Sequence, residues 1–490
     1  MSGKPNLGQR LLRRKPIETY VAQTQGQNSE LKRSITLFQL TMFGVGATVG
    51  TGIFFVLAEQ VPVAGPAVLF SFLIAGFAAG LTALCYAEMS SMIPVSGSSY
   101  SYAYATLGEG LAFLVAACLV MEYGVSAGAV AVGWSEYLHN LLMTTTGYEL
   151  PRALLHAPLV AEGYSLKFGG DGLINLPAAV LVFLCCLLLT RGSRESARAN
   201  AIMVIVKLAV LAFFIIIALT AFKSENLQPF APHGFSGVSA AAGSIFFTFV
   251  GLDAVSTAGE EVENPRRNLP LAIILALVIV VSFYLLVTIA ALGAQPQEMF
   301  EGQEAGLSVI LQNVTGSAIP SVILSAGAVV SVFSVTLVVL YGQTRVLFAM
   351  SRDGMLPPIF SRVDPHTLTP TANTIIVCCC VAALAAFLPS AVLWDLTSMG
   401  TLVAFTVVSA GVIILRYQRP DAPRGFRVPF FPVLPILSIL SCLYLISSLS
   451  LIVFKLTAIW AILAGIMYIL YSSRHSILEK GSKANEELSR

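Results

Sequence analysis

Long apolar stretches, each closed off by Pro, Gly or a cluster of charge, recur between residues 35 and 472. A helix needs about 20 predominantly apolar residues to cross roughly 30 Å of hydrocarbon. Segmentation on that rule predicts twelve spans: 35–58, 66–93, 101–142, 173–190, 196–221, 237–260, 268–294, 318–350, 372–388, 391–416, 429–450 and 453–472. The third and eighth are long enough to tilt or to project beyond the bilayer. Loops are short apart from 143–172, 295–317 and 351–371, so the pattern predicts an all-α polytopic membrane protein with no soluble domain.

Composition narrows the classes further. Of 490 residues 56% are hydrophobic and only 11% charged, with a mean hydropathy of +0.81, against roughly a quarter charged in a soluble domain. A soluble globular protein is excluded. The formal net charge of +2 carries no basic excess that would call for nucleic acid.

Where the charges fall is more informative. With the N-terminus inside, only Arg152, Lys167, Lys223 and Lys455 lie on external segments and Lys207 lies within a span, which leaves 23 of the 28 basic residues on the cytosolic side. That asymmetry is what the positive-inside rule requires, and a missed helix would invert every loop after it. Both tails, 1–34 and 473–490, are therefore expected in the cytosol. No short apolar region with a cleavage site precedes the first span, so no cleaved signal is expected.

All eight cysteines lie inside apolar runs without CxxC spacing, and they read as small embedded hydrophobes, not as a zinc site or disulfide frame. The five histidines form no HExxH, and Walker A and GxSxG motifs are absent. An enzyme is disfavoured, and neither metal nor cofactor is expected. Asn313-Val314-Thr315 fits a glycosylation pattern on an external loop, a signal too common to say much.

Two spans break their own pattern. The first holds Gly44, Gly46, Gly50 and Gly52 within nine residues, a stretch poor in helix propensity that lets a ligand approach the backbone. Gly46 and Gly50 also make a GxxxG pair that fits close helix packing. The sixth places Gly251 and Asp253 halfway across, in Phe247-Thr248-Phe249-Val250-Gly251-Leu252-Asp253. A tilted helix with one buried hydrogen-bonded Asp is the plain alternative. Matching interruptions in spans 1 and 6 point, however, to discontinuous helices around a midplane transport site, with 35–221 and 237–416 as two repeats and 429–472 as an extra pair.

The physics of such breaks suggests the ligand. Free N–H groups at one half-helix N-terminus suit a carboxylate, and free carbonyls at a half-helix C-terminus suit an ammonium. An α-amino acid carries both. Two further ionisable residues stand inside spans. Lys207 either snorkels to the interface or gains and loses a proton during transport, and Glu122 is either a hydrogen-bonded packing acid or part of the site.

The stretches GVGATVGTGIF (44–54), PVSGSSYSYAYATLGE (94–109), EYGVSAGAVAVGW (122–134), SARANAIMVIVK (196–207), FTFVGLDAVSTAGEEVENPRRNLP (247–270), GQTRVLFAMSRDGMLP (342–357) and FRVPFFPVLP (426–435) together resemble the amino acid–polyamine–organocation transporters. Within these the likeness is to the cationic amino acid transporter family, of the twelve-span bacterial type, and it covers about residues 30–475. It implies a LeuT-like inverted five-helix repeat with two extra C-terminal helices, broken helices 1 and 6, and alternating access. Carried over by position, it implies carboxylate-binding backbone at Thr48, Gly50, Thr51 and Gly52 and amine-facing carbonyls around Phe247, Thr248 and Val250. Phe249 and Tyr284 become candidates for the pocket wall or gate, and Glu122 and Asp253 match acidic positions. In proton-coupled relatives a fifth-helix lysine takes the place of a sodium ion; Lys207 matches it, and Ser334 is expected as its hydrogen-bond partner.

The sequence is thus read as a proton-coupled amino acid importer in the cytoplasmic membrane. A facilitative carrier or exchanger of Arg, Lys or ornithine keeps the same fold, and a non-transporting amino acid sensor shares the motifs but has only short tails here.

Overall fold

The computed structural model describes residues 7–24, 31, 33–162, 165–169, 172–301, 306–388, 390–447, 449 and 451–479. Parts of both tails, 1–6, 25–30, 32 and 480–490, lie outside the described residues. Two short helices, α1 (Leu7–Leu11) and α2 (Ile17–Thr24), precede the first apolar stretch. That stretch is two helices, α3 (Leu37–Thr48) and α4 (Thr51–Ala64). A reciprocal cap starts α3, with Gln39 N donating to Thr36 Oγ1 at 3.3 Å and Thr36 N to Gln39 Oε1 at 3.1 Å.

Helix α5 (Val68–Met92) follows. The third predicted span is corrected by the structure: it is a short helix α6 (Ser98–Thr106) and a 38-residue helix α7 (Glu109–Thr146). The chain turns between them at Gly108, whose φ is +109°, a conformation that glycine alone adopts readily. At about 1.5 Å per residue α7 outruns the hydrocarbon core.

The loop expected at 143–172 contains α8 (Arg152–Leu155) and a hairpin of β1 (Leu159–Glu162) antiparallel to β2 (Ser165–Phe168). Apart from that hairpin the described elements are helical. Next come α9 (Leu176–Arg191) and α10 (Ser193–Thr220). The sixth stretch is broken like the first: α11 (Gly234–Phe246), a single tight turn over Phe247–Phe249, irregular backbone to Asp253, and α12 (Ala254–Thr257). Then follow α13 (Pro265–Ala294), α14 (Gly306–Thr315), α15 (Ala318–Arg352), α16 (Thr371–Phe387), α17 (Ser390–Gln418), α18 (Val433–Ser447) and α19 (Leu451–Met467).

Seven helical stretches among the described residues are long and apolar enough to cross a membrane, and α3, α9, α16 and α18 are shorter apolar helices. The outer faces carry exposed Phe77, Phe183, Ile202, Ile216, Val278, Leu440, Ile462 and Leu470. An apolar exterior of this kind has lipid as its solvent, and the chain is a multi-pass membrane protein. Polar side chains turn inward instead: Glu122, Lys207, Ser331, Ser334, Thr397 and Thr401 are all fully buried.

The charged end of the bundle is stitched by ion pairs. Glu88 accepts from Arg416 (2.9 and 2.5 Å), Arg424 (3.1 Å) and the Val428 N–H (2.7 Å). Glu260 takes both terminal nitrogens of Arg352 at 2.6 Å, and Glu261 pairs with Arg345 at 2.5 Å. The entry to α3 lies alongside the exit from the sixth stretch, with Ile35 N donating to Glu261 O at 2.9 Å and Glu263 N to Ile35 O at 3.0 Å.

Candidate functional site

The two breaks meet inside the bundle. Helix α3 ends at Thr48 because Val49 leaves helical geometry (φ −77°, ψ 95°), and α4 restarts after Gly50 (φ −145°, ψ −138°) with no side-chain cap. The opening turn of α4 therefore presents N–H groups that no side chain has claimed. Opposite it, Gly251 sits at φ +97°, and a Cβ there would lie 3.0 Å from Ala47 Cβ and 3.1 Å from Ala47 O. A Cβ on Gly52 would meet Thr248 Cγ2 at 2.7 Å, and one on Gly50 would collide with Val335. Gly251 and Gly52 thus let the two broken stretches approach at contact distance, while Gly50 faces Val335 of α15.

Between them lies a cavity of about 30 Å³ lined, among the described residues, by Ala47, Thr48, Gly50, Gly52, Glu122, Tyr123, Ser126, Val130, Thr248, Val250, Gly251, Val335 and Val339. A single water needs about 10–15 Å³ of such space, so the cavity is of a size that takes about two or three waters.

Lys207, which is not among the lining residues, approaches the first break from α10. Its ammonium is wholly buried and donates to Gly46 O at 3.0 Å and Val49 O at 2.5 Å. These are carbonyls at the C-terminal end of α3, where the helix dipole is negative. Seven residues earlier on α10, Asn200 Nδ2 donates to Met42 O at 3.1 Å. Ser334, expected beside Lys207, instead gives its hydroxyl to Ser331 O at 2.9 Å in the local back-bonding that serines favour. Ser331, one turn earlier, is the residue that joins Lys207 on Val49 O, at 3.3 Å.

Tyr284 stands behind the breaks, with its hydroxyl 2.8 Å from Thr48 O and 2.9 Å from Thr248 O, donating towards both. Its ring packs edge-on against Phe249 at 5.3 Å and Phe72 at 5.8 Å. Neither Phe249 nor Tyr284 is among the described residues lining the cavity. The side chains of Thr51 and Phe247 lie outside what the structure describes.

Of the two acids, Glu122 lines the cavity and Asp253 is not among its lining residues. Glu122 Oε1 accepts from Thr401 Oγ1 at 2.5 Å, and Asp253 Oδ2 accepts from the hydroxyl of Tyr123. Their other oxygens, Glu122 Oε2 and Asp253 Oδ1, are buried without a partner among the described residues. Buried polar atoms are seldom left so. Sequence reasoning missed Tyr123, Ser126, Ser331, Val335 and Thr401. Adjacency to Glu122 marked Tyr123, whereas nothing local distinguished Thr401, which lies 279 residues from Glu122 in the chain.

Residues 35–471 match the family model described as amino acid permease. The methylthioribose transporter and the branched-chain amino acid permease BcaP, both of Bacillus subtilis (strain 168), are each 42% identical to the chain, over 96% of it and 99% of their own lengths. The vacuolar cationic amino acid transporter 2 of Arabidopsis thaliana is 37% identical over 84% of the chain and 64% of its own length.

Proposed function

The chain belongs to the amino acid permease family, whose members are transporters and not enzymes, and from that premise we propose that it imports amino acids with protons by alternating access. The observation that carries the proposal is Lys207 Nζ seated on Gly46 O and Val49 O. A fixed ammonium supplies the charge that a coupling cation would bring to the end of a broken helix. Its deprotonation removes that charge and loosens α3 from α10. Proton movement thereby couples to the helix that must swing.

The substrate carboxylate docks on the uncapped N–H groups around Gly50, Thr51 and Gly52. Its ammonium faces the carbonyls of Phe247, Thr248 and Val250, near the unpartnered oxygens of Glu122 and Asp253. Val130, Val335 and Val339 are among the residues lining the cavity, which favours a small apolar side chain. A neutral amino acid is accordingly the first substrate to try. The second reading is exchange of Arg, Lys or ornithine, supported by the free Glu122 oxygen, which a cationic side chain would pair.

The fold belonging to this function has twelve spans. Residues 35–221 and 237–416 form two inverted repeats with breaks in α3/α4 and α11/α12, 429–472 add two helices, and both termini face the cytosol of a cytoplasmic membrane. Uptake of radiolabelled alanine, leucine and arginine into proteoliposomes, with and without an inward proton gradient and without Na⁺, tests it. Gradient-driven accumulation of alanine or leucine supports symport. Uptake that ignores pH and needs internal amino acid would make the protein an exchanger.

A further inference from the structure

Asn200 lies on the seam that carries the buried cation. Helices α3 and α10 pack side by side, and two side chains of α10 donate to carbonyls of the first stretch. Asn200 Nδ2 bonds Met42 O at 3.1 Å, and Lys207 Nζ bonds Gly46 O at 3.0 Å and Val49 O at 2.5 Å. Met42 and Val49 are seven residues apart, and so are Asn200 and Lys207. Seven residues make about two helical turns, so both contacts fall along one line of the seam and share its register. Gly46 sits between them: a Cβ there would lie 2.8 Å from Asn200 Oδ1 and 3.1 Å from Val204 Cγ2.

Only half of the Asn200 amide is used. The residue is fully buried with its nitrogen on Met42 O, and its Oδ1 has no partner among the described residues. Buried amide oxygens are seldom left so. This one rests against the glycine whose carbonyl holds the Lys207 ammonium.

No acid bonds that cation among the described residues. Of the helices packed on α10, α3 and α14 carry no titratable side chain, and α9 brings Cys185, Cys186 and an exposed Arg191. Tyr284 of α13 is spent on Thr48 O and Thr248 O, and Arg266 and Arg267 at its start are exposed. On α15, Tyr341 and Arg345 bond Glu261, and Arg352 bonds Glu260. Arg194, Glu195 and Arg198 of α10 itself are exposed. The free amide oxygen is therefore the unclaimed acceptor on the Lys207 seam.

We propose that Asn200 is a positioning residue for the coupling proton: its nitrogen keeps α3 in register on α10, and its free oxygen receives, directly or through one water, the Lys207 N–H that lets go of Val49 O when α3 moves. The inference rests on the proton-coupled reading of Lys207. An amide oxygen favours a charged amine beside it, yet it is neutral and does not hold the cation as a carboxylate would.

The full-length chain in proteoliposomes provides the test, with uptake of alanine, leucine and arginine read against pH for wild type, Asn200→Leu and Asn200→Asp. Loss of the oxygen in Asn200→Leu is expected to move the pH midpoint of uptake towards acid by about one unit, a tenfold change in proton affinity. The added carboxylate of Asn200→Asp is expected to move it towards alkaline by about one unit or more. A side chain that only packs α3 on α10 shifts neither. Unchanged midpoints, or midpoints that move the same way, overturn the proposal, and if Asn200→Leu does not fold, Asn200→Asp decides alone. A second readout needs no transport: melting temperatures in detergent of Asn200→Leu, Lys207→Met and the double variant. The double variant is expected to lose less than the two single losses together, because Asn200 acts through Lys207. Additive losses also overturn the proposal. Should wild-type uptake be absent or ignore pH, the symport reading fails while the melting temperatures still score the link between the two residues.

Discussion

The ammonium of Lys207 lies 2.5 Å from the carbonyl oxygen of Val49, the first residue after α3. One cation on α10 therefore satisfies the end of the broken helix while Ser331 approaches the same oxygen from α15. The contact joins three elements, the end of α3, α10 and α15.

Lys207→Ala is expected to abolish the pH dependence of uptake while leaving measurable substrate binding. Uptake against external pH, with affinity measured in parallel, checks it. Undiminished pH-driven accumulation would remove the proton-carrier role.

Tyr284→Phe deletes the hydroxyl that spans Thr48 O and Thr248 O. A buried carbonyl left without its donor costs about 1–3 kcal/mol, so substrate affinity should fall roughly tenfold or more. Equilibrium binding to the purified variant measures this, and wild-type affinity would show that the bridge does not position the breaks.

Gly52→Val places a branched side chain where even a Cβ meets Thr248 Cγ2 at 2.7 Å. Binding should be lost although the protein still reaches the membrane. Retained affinity in that variant would return the glycine to a packing role.

Glu122→Gln and Asp253→Asn distinguish the substrate classes. Loss of arginine uptake with alanine uptake kept would assign the free carboxylate oxygens to a cationic side chain. For a neutral-substrate symporter, the expected result is instead that alanine uptake is reduced and arginine uptake stays negligible.

Glu88→Gln breaks the cluster formed with Arg416, Arg424 and the Val428 N–H. Removing one partner from a buried ion pair costs roughly 3–5 kcal/mol, so the melting temperature in detergent should drop with substrate affinity little changed. An unaltered melting temperature would mean that the cluster contributes nothing to stability.

Much of this protein is legible from local pattern. Hydrophobic length places α5, α9, α10, α13, α15, α16 and α17 within a few residues of their observed ends, because crossing lipid demands a run of apolar residues whatever its neighbours do. The breaks at Gly50 and Gly251 are equally local, since glycine where a helix should continue weakens it directly. Both glycines are among the residues that line the cavity.

What only the tertiary structure decided is who meets whom. The resemblance pointed to Ser334 for Lys207, whereas Ser331 shares its carbonyl; local pattern joined 101–142 into one span, whereas Gly108 turns the chain; it left Lys15 in the basic cytosolic tail, whereas Asp353 holds it. Thr401 on Glu122 was equally hidden, as was the bridge that Tyr284 makes between Thr48 O and Thr248 O. The membrane constrains each helix by its own composition, so spans are written in the sequence. Partners across helices depend on rotation, depth and tilt, which arise only when the bundle packs.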